Sequence, residues 1–290
     1  MILAALIAAW YRFVPELAAE PPVRAEPQTV STDFAEPVAY SGDGLLVHYI
    51  DIGQGDATLV QAPGGNILID GGDRRTVTAF VRYLKEAGIS RIAYVIATHP
   101  HADHISGLVN VLDEFEIGAV IMPRVAHTSA TFERMISAIE RHDIPVVEPI
   151  PGTVLNVGDV RLTILSPNGT DSKNLNNHSV SVMIGYGGTR FLFTGDSESE
   201  AEEAMLAGGL DLSAQVLHVG HHGSITSTTR DFLDAVSPQI AVVSVGAHNS
   251  YGHPNKEVIQ RLETAGVTVY RTDENGTVLI SSDGRLVKVH

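Results

Sequence analysis

The chain has 290 residues and a formal net charge of -15 at pH 7, because 34 Asp and Glu residues outnumber 19 Lys and Arg residues. No Lys/Arg-rich run offsets this charge, so loose, sequence-blind binding to nucleic acid through a basic surface is disfavoured. The chain contains no cysteine, which excludes disulfides, thiolate nucleophiles and thiolate-bound zinc and leaves His, Asp and Glu as the ligands for any metal.

The first 43 residues differ in composition from the remainder. Residues 1–19 begin with the apolar run ILAALIAA, which is shorter than the roughly 20 residues of a membrane-spanning helix. This run favours a signal-like or anchor-like segment, although no Lys or Arg precedes it, and predicts an extracytoplasmic protein that is secreted or attached to the membrane. The alternatives are the end of a membrane helix in a longer protein and an apolar helix packed on a cytoplasmic domain. Residues 20–43 are rich in Pro, Glu and Ala and predict an extended linker.

Residues 44–290 alternate apolar runs with helical patterns and are predicted to form one domain. The runs LLVHYIDI, ATLVQ and NILID, separated by GQGD and PGG, indicate a strand meander, and RTVTAFVRYLKEAG then has helical spacing. Further helices are predicted at 103–114, 130–141, 197–206, 228–235 and 256–265, and further strands at IAYVIAT, AVIM, VRLTIL, SVSVMIGY, RFLFTG, QVLHVG, IAVVSVG, VTVYRT and GTVLISS. Two strand-rich halves that each carry helices predict an α/β fold, a four-layered αββα sandwich with the sheets packed together and the helices outside.

The predicted strand IAYVIAT leads directly into THPHADH, which places three histidines and an aspartate within seven residues. On a loop between a strand and a helix, His99 and His101 can converge on one ion while Asp103 and His104 face a second. The alternative is a polar loop whose histidines only form hydrogen bonds or face solvent. The density of ligand-type side chains favours a metal site.

Further ligand-type residues follow three later strands, as two ions would require. RFLFTGD ends with Asp196, a carboxylate that can bridge two cations or cap the helix predicted after it, and the two roles are compatible. VLHVGHHGS carries His221 and His222 ahead of a glycine, and SVGAHNSYGHP carries His248 and His253. With nitrogen and oxygen ligands and no sulfur, two divalent ions are expected, zinc by default and manganese as its competitor.

These motifs, together with DIGQGDATLVQAPGGNILIDGG and NNHSVSVMIGYGGTRFLFTGD, resemble those of metallo-β-lactamase-superfamily hydrolases. The motifs occur in the same order as in the family, and the resemblance covers residues 45–290. Within the superfamily, the chain resembles in particular the C-terminal hydrolase domain of ComEC-type competence proteins. The chain is also similar to the phosphorylcholine esterases of the same branch. The resemblance implies the four-layered sandwich of that superfamily and a binuclear metal-dependent hydrolase.

The resemblance also implies six ligands: His99 and His101 on the first ion, Asp103, His104 and His222 on the second, and Asp196 bridging both. His222 matches the family's last ligand better than His221 does, because it directly precedes Gly223. A first-site histidine that many members have before the TGD strand has no clear counterpart. Asn176 stands near that place, and His178, two residues on, either reaches the metal or packs at the start of the strand.

The remaining candidate residues surround these ligands. His221 and His253 are predicted to stabilise developing charge or to protonate the leaving oxygen, and the ligand Asp103 is grouped with them as catalytic. A loop role in the turn before Pro254 is the alternative for His253. Carboxylates at three strand ends are predicted to hold ligand histidines or loop amides, namely Asp51, Asp56 and Asp70.

Two divalent ions about 3.5 to 4 Å apart suit the in-line cleavage of a phosphodiester. The first hypothesis is hydrolysis of nucleic acid, with single-stranded DNA as the partner that the resemblance implies, although the acidic charge weighs against a polyanionic substrate. A small or wall-linked phosphodiester, as in the phosphorylcholine esterases, is the alternative. β-Lactam or thioester hydrolysis ranks third, because those branches more often retain the missing histidine, and a non-catalytic metal-binding module ranks last. The sequence does not indicate an oligomeric state.

Overall fold

The computed structural model describes Pro37 and residues 39–168 and 172–290. The predicted signal-like or anchor-like segment at residues 1–19 lies outside the described residues, as does most of the predicted linker at 20–43. Among the helices that are described, none combines the length and the apolar character needed to cross a membrane.

The strands form two sheets, and most of the predicted strands are confirmed. The first sheet contains, in chain order, β1 (Leu45–Tyr49), β2 (Thr58–Ala62), β3 (Gly65–Ile69), β4 (Arg91–Ile96), β5 (Glu116–Ile121) and β6 (Val146–Val147). The second contains β7 (Val154–Val157), β8 (Val160–Ile164), β9 (Val182–Tyr186), β10 (Thr189–Phe193), β11 (Val216–His218), β12 (Ile240–Val243) and β13 (Thr268–Arg271). The chain then returns to the first sheet with β14 (Val278–Ser282) and β15 (Val287–Val289).

Each sheet combines an antiparallel meander with a run of parallel strands. The first sheet has the order β15-β14-β1-β2-β3-β4-β5-β6, antiparallel up to β3 and parallel from β3 to β6. The second has the order β13-β12-β11-β10-β9-β8-β7, antiparallel from β7 to β10 and parallel from β10 to β13. The predicted meander at the start of the domain is therefore confirmed.

The predicted helices are confirmed, with small shifts at their ends. They are α1 (Val77–Glu86), α2 (Ala102–Glu114), α3 (Ala130–Arg141), α4 (Ser199–Ala207), α5 (Arg230–Val236) and α6 (Lys256–Thr264), and a short α7 (Thr272–Asn275) follows. Side-chain caps explain two of the starts: Ser129 accepts a hydrogen bond from the backbone N–H of Phe132, and Asn255 accepts one from that of Glu257. The α5 helix begins later than predicted because Thr228 has a left-handed backbone, with φ of 53°.

Apolar side chains alternate between the two faces of each sheet and so define four layers. In β3, Ile67 and Ile69 face the core between the sheets, whereas Leu68 faces the core beneath the first set of helices. In β10, Phe191 and Phe193 face the core between the sheets, whereas the intervening leucine faces the second set of helices. Three buried cores therefore separate helices, sheet, sheet and helices, which confirms the αββα sandwich.

Three short strands were not predicted from the sequence: β6, β7 and β15. Each is the outermost strand at an edge of its sheet. Edge strands are covered on fewer sides, so they do not need the continuous apolar run that identifies a central strand.

Candidate metal centre

The candidate site lies where parallel strands end. The loop after β3 carries Asp70, the loop after β4 carries His99, and the loop after β10 carries Asp196. The turn after β11 carries His221 and His222. Parallel strands bring their carboxyl ends to the same edge of a sheet, which is where ligands bind in open α/β folds.

The THPHADH segment connects β4 to α2 and presents its side chains from both the loop and the first helical turn. His101 is the N-cap of α2, with an extended backbone, so Asp103 and His104 lie in the first turn. His99 Nε2 and His101 Nδ1 are 3.0 Å apart. His104 is fully buried, and its Nε2 is 3.2 Å from Asp196 Oδ1.

Three ligand atoms, on Asp103, His104 and His222, have the spacing of a metal site. His222 Nε2 lies 3.4 Å from Asp103 Oδ2 and 3.7 Å from Asp196 Oδ1. His104 Nε2 lies 3.9 Å from Asp103 Oδ2. Ligands of a tetrahedral zinc ion, each about 2.0 to 2.2 Å from the metal, are about 3.3 to 3.6 Å from one another. Asp103, His104 and His222 therefore converge as the ligands of one ion would, and Asp196 Oδ1 lies beside both histidines.

The carboxylate of Asp196 faces two groups of ligands with its two oxygens. Oδ1 faces His104 and His222, whereas Oδ2 lies 3.5 Å from His99 Nε2 and 3.7 Å from His221 Nε2. The alternative role of Asp196 as a helix N-cap is wrong, because α4 begins three residues later with Glu198 in that position. The geometry instead suits a carboxylate shared between two cations.

Several buried polar atoms at the site have no hydrogen-bond partner: both carboxylate oxygens of Asp56, Nε2 of His104, Nε2 of His222 and Oδ1 of Asp196. Buried polar atoms without a partner cost free energy, and such a concentration of ligand-type atoms is explained by a bound cation. The residues present therefore fit the metal that the ligand pattern implies.

Ligand atoms of the described residues converge within 4.8 Å in four groups of three: His99, His104 and Asp196; Asp103, His104 and His222; Asp56, Asp196 and His222; and Asp56, Asp70 and His104. His101 and His221 belong to none of these groups. The position around His104 and His222 is therefore the more completely formed of the two.

Neighbouring groups set the proton positions of the two central histidines. The Ser244 carbonyl oxygen lies 2.9 Å from Nδ1 of His222, so this nitrogen donates and Nε2 is the atom of the ring that can bind a cation. Nδ1 of His104 lies 2.8 Å from Asp70 Oδ2 and donates in the same way. Asp70 is itself fixed, because the backbone N–H and hydroxyl of Thr98 both donate to it.

The three carboxylates that were predicted to hold ligand histidines or loop amides, Asp51, Asp56 and Asp70, have different surroundings. Asp70 contacts the candidate ligand His104, as described, and Asp51 accepts a hydrogen bond from the backbone N–H of Gly53. Asp56 is buried among histidines, with Oδ1 3.4 Å from His222 Nδ1 and 3.6 Å from His218 Nε2. Asp56 therefore contacts the histidines of the candidate site, as one of its two predicted roles requires.

The buried charges alter one another's pKa values strongly. Burial alone would raise the pKa of Asp196, but His104 and His222 lower it well below its usual value. Burial alone would lower the pKa of His104 and that of His222, but Asp196 and the other carboxylates raise both well above the usual range. A cation that binds these nitrogens must displace their protons, so metal binding should release protons.

The turn that carries His221 and His222 depends on an unusual backbone. Both histidines have left-handed backbones, with φ of 50° and 54°, and Gly223 follows with φ of 79°. A Cβ atom on Gly223 would lie 2.6 Å from Cβ of Pro254, so only glycine fits there. The two side chains consequently reach different oxygens of Asp196.

His221 and His253 lie beside the ligand cluster. His221 is partly exposed, and its Nδ1 lies 3.3 Å from Glu198 Oε1. The Nδ2 group of Asn176 donates to Glu198 Oε1 at 2.8 Å and lies 3.5 Å from Nε2 of His221. The ring centroid of His253 is 5.4 Å from that of His221, and burial followed by the charge of His222 lowers the pKa of His253 to about 4. His253 is therefore neutral at pH 7.

His178 is placed differently from the converging residues. Its Nε2 donates to the carbonyl oxygen of Ser172 at 2.8 Å, at the end of a short 3-10 helix over Leu175–His178. It is in none of the converging groups of described residues. This position matches the alternative in which the histidine packs at the start of the strand.

Sequence reasoning did not identify two residues that contact the candidates. Glu198 lies two positions after Asp196 and contacts His221, and His218 is buried in β11 with Nε2 2.8 Å from Ser244 Oγ. The acidic run SESE, which contains Glu198, read as the start of a helix. The strand pattern around His218 predicted only an interior strand residue. Neither Glu198 nor His218 therefore belonged to a motif that indicates a functional site.

Comparison with known proteins gives both family and fold. Residues 50–248 match the sequence profile of the metallo-beta-lactamase superfamily. ComE operon protein 3 of Bacillus subtilis is 32% identical over 250 residues, and competence protein ComA of Neisseria gonorrhoeae is 30% identical over 244 residues. These matches cover 80% and 83% of this chain but 32% and 33% of the relatives, so the chain spans about a third of their length.

Solved structures show the same architecture. The metallo-beta-lactamase fold protein YhfI from Bacillus subtilis has a TM-score of 0.56 and 12% identity, covering 83% of this chain and 100% of that chain. At this identity the likeness concerns the fold alone.

Proposed function

Because the chain belongs to the metallo-beta-lactamase superfamily, we propose that it is a two-metal phosphodiesterase that cleaves nucleic acid, with single-stranded DNA as its substrate. The predicted resemblance to this superfamily and to competence proteins is confirmed by the family match and by the named relatives. The relatives' names connect them with competence, which supports a nucleic-acid substrate for this chain.

The observation that carries the proposal is the position of Asp196. Its oxygens face two separate groups of histidines, Oδ1 toward His104 and His222 and Oδ2 toward His99. A carboxylate shared in this way would hold two cations close together if both bound, and paired divalent ions would suit the displacement at a phosphodiester.

We assign the more complete position to Asp103, His104, His222 and Asp196 Oδ1, and the other to His99, His101 and Asp196 Oδ2. The second position has fewer protein ligands, so we expect it to bind its ion more weakly. Nitrogen and carboxylate ligands fit both zinc and manganese, and a position with few ligands tolerates manganese.

When bound, two divalent ions activate water and stabilise the charge that develops on the phosphoryl oxygens. The protein's own groups orient the reactants. Asp70 and Ser244 hold the protons of His104 and His222 on Nδ1, so that both Nε2 atoms face the centre. Glu198 Oε1 lies 3.3 Å from Nδ1 of His221, and Nε2 of the same ring lies 3.7 Å from Asp196 Oδ2, so this ring stands beside the centre, where it can form a hydrogen bond to the leaving oxygen.

His253 has a different part in this proposal. Its pKa of about 4 leaves the ring neutral at pH 7. A neutral imidazole beside His221 can donate or accept a hydrogen bond to the substrate without adding charge.

The second candidate function is cleavage of a small or wall-linked phosphodiester such as a phosphorylcholine ester. The net charge of -15 favours it, because a polyanion is repelled more strongly than a small substrate. Both candidates use the same metal centre and differ in what surrounds the reacting phosphorus.

The test compares substrates on purified protein loaded with Mn²⁺ or Zn²⁺. Single-stranded DNA, bis(p-nitrophenyl) phosphate and a chromogenic β-lactam are assayed with the wild type, with Asp196→Ala and with Asp211→Ala, an exposed carboxylate, as the matched control. We expect metal-dependent cleavage of DNA and of the small diester, reduced at least about 100-fold by Asp196→Ala alone.

Cleavage of the small diester without cleavage of DNA would overturn the nuclease proposal in favour of the second candidate. Turnover of the β-lactam alone would contradict both. Circular dichroism of Asp196→Ala shows whether the loss of activity comes from the site or from unfolding.

A further inference from the structure

An aromatic side chain is exposed beside the candidate metal centre. Tyr251 is 59% exposed. Its ring is stacked on His253, with centroids 5.8 Å apart and an interplanar angle of 26°. The His253 ring lies 5.4 Å from His221 and 6.4 Å from His222. Tyr251 is therefore two ring steps from the histidines of the centre.

The loop that carries Tyr251 is held in place by one side chain. The Oδ1 atom of Asn249 accepts from the backbone N–H groups of Tyr251 and His253, both at 3.1 Å. Its Nδ2 group donates to the carbonyl oxygens of Gly246 at 3.0 Å and His253 at 2.6 Å. The exposed ring therefore projects from an ordered turn.

This loop is also attached to the centre at both ends. At its start, Gly246 N–H donates to Gln54 Oε1 at 3.2 Å, in the GQGD loop next to Asp56. At its end, Asn255 N–H donates to the carbonyl oxygen of Gly223 at 2.8 Å, directly after His222. A molecule bound at the centre would thus meet Tyr251 at a fixed distance.

We propose that the ring of Tyr251, supported by His253, is the platform on which a nucleobase next to the scissile phosphodiester stacks. This inference rests on the proposed function. Every base has a flat aromatic face, so a tyrosine platform holds single-stranded nucleic acid without reading its sequence. A base is separated from its own phosphate by one sugar, and Tyr251 is separated from the histidines of the centre by one ring, that of His253.

Stacking also resolves the conflict between the acidic charge and a nucleic-acid substrate. Proteins usually gain affinity for nucleic acid from Lys and Arg contacts to phosphates, a contribution that a net charge of -15 weakens. Contact between two aromatic faces does not depend on the charge of the protein. Affinity that comes from Tyr251 should accordingly depend little on salt.

The test measures binding separately from cleavage. The dissociation constant of a fluorescently labelled dT oligonucleotide is measured in EDTA, and KM is measured with Mn²⁺, for the wild type and for Tyr251→Ala and Tyr251→Phe. The control is Leu286→Ala, which removes another exposed apolar side chain, in the turn between β14 and β15.

We expect Tyr251→Ala to raise both constants by about 5-fold to 100-fold, as the loss of one base–aromatic stack does. Tyr251→Phe, which keeps the ring, and Leu286→Ala should stay within about 2-fold of the wild type. An oligonucleotide that lacks the base beside the cleaved bond should bind the wild type and Tyr251→Ala equally.

If the wild type cleaves DNA and Tyr251→Ala binds it as tightly, the platform is wrong and the proposed function stands. If Tyr251→Ala loses cleavage of p-nitrophenyl phosphorylcholine but keeps its affinity for DNA, the ring serves a quaternary ammonium group instead and the inference is overturned. If the wild type neither binds nor cleaves DNA, both the platform and the proposed function are wrong.

Discussion

Asp70→Asn should weaken metal binding without unfolding the protein. Asp70 has a left-handed backbone, with φ of 58°, which Asn also adopts readily, so the turn should survive the substitution. The backbone N–H of Thr98 can only donate, and it donates to Asp70 Oδ1, so the amide oxygen of Asn must take that place. The amide nitrogen then takes the place of Oδ2, 2.8 Å from Nδ1 of His104.

The exchange reverses the hydrogen bond to His104. An amide N–H at that place donates to Nδ1, so the ring carries its proton on Nε2, the atom that faces Asp196 at 3.2 Å. A cation can bind Nε2 only after this proton moves and the new hydrogen bond is broken. Loss of a group that orients a ligand typically costs about 10-fold to 100-fold in metal affinity, or about 1.4 to 2.7 kcal/mol.

The stability of the metal-free protein should change little. Burial raises the pKa of Asp70 above its usual value, so the ionised carboxylate is destabilising at pH 7. The uncharged amide removes that cost and keeps the bond from Thr98. We therefore expect the free energy of unfolding in EDTA to fall by less than about 1 kcal/mol.

Isothermal titration calorimetry of Mn²⁺ into EDTA-treated and desalted protein measures the affinity, and urea denaturation measures the stability. Asp113→Asn is the matched control, because it removes an exposed carboxylate that contacts Arg141 and His142 on the surface. An Mn²⁺ affinity of Asp70→Asn within about 2-fold of the wild type would refute the assigned orientation of His104. Unfolding of the metal-free variant would show instead that Asp70 is required for the fold.

Two further predictions concern stability. Burial lowers the pKa of His48 to about 4, so its contribution to stability is present above the unfolded pKa of about 6.5 and is lost as pH falls toward 4. In urea titrations, the wild type should lose about 3 kcal/mol of unfolding free energy relative to His48→Gln across that pH range. Parallel plots of unfolding free energy against pH for the two proteins would contradict this. Buried Glu202 accepts hydrogen bonds from the backbone N–H groups of Thr228 and Thr229 before α5. Glu202→Gln should therefore cost about 1 to 3 kcal/mol of unfolding free energy, whereas Glu203→Gln, at an exposed position, should cost almost none. Equal urea-denaturation midpoints for the two variants would show that these hydrogen bonds contribute little to stability.

The fold could be predicted to a large extent because its signals are local. Runs such as RFLFTG alternate between two covered faces, and helical patterns such as ATFERMISAIER repeat with their own period, so each element is visible in its own residues. The strands that were not predicted, including β7 and β15, lie at sheet edges, where fewer contacts constrain the side chains. Their pairing partners, and not their own composition, make them strands.

The candidate ligands were also visible in the sequence, because metal ligands are chemically distinctive and follow strand ends. THPHADH, TGD and HHG each place such residues where a strand stops, whatever surrounds them. The sequence by itself thus determined which loops face the site and which chemistry they can support.

Only the tertiary structure decided how these loops share the site. His221 and His222 both have left-handed backbones, so their side chains contact different oxygens of Asp196. Two adjacent histidines in a sequence do not indicate which oxygen each one contacts. Asp70 meets His104 across 34 residues of chain, and Glu198 contacts His221 although neither stands in the other's motif. Orientation, burial and pKa depend on neighbours that the fold brings together from distant parts of the chain, and no local pattern records them.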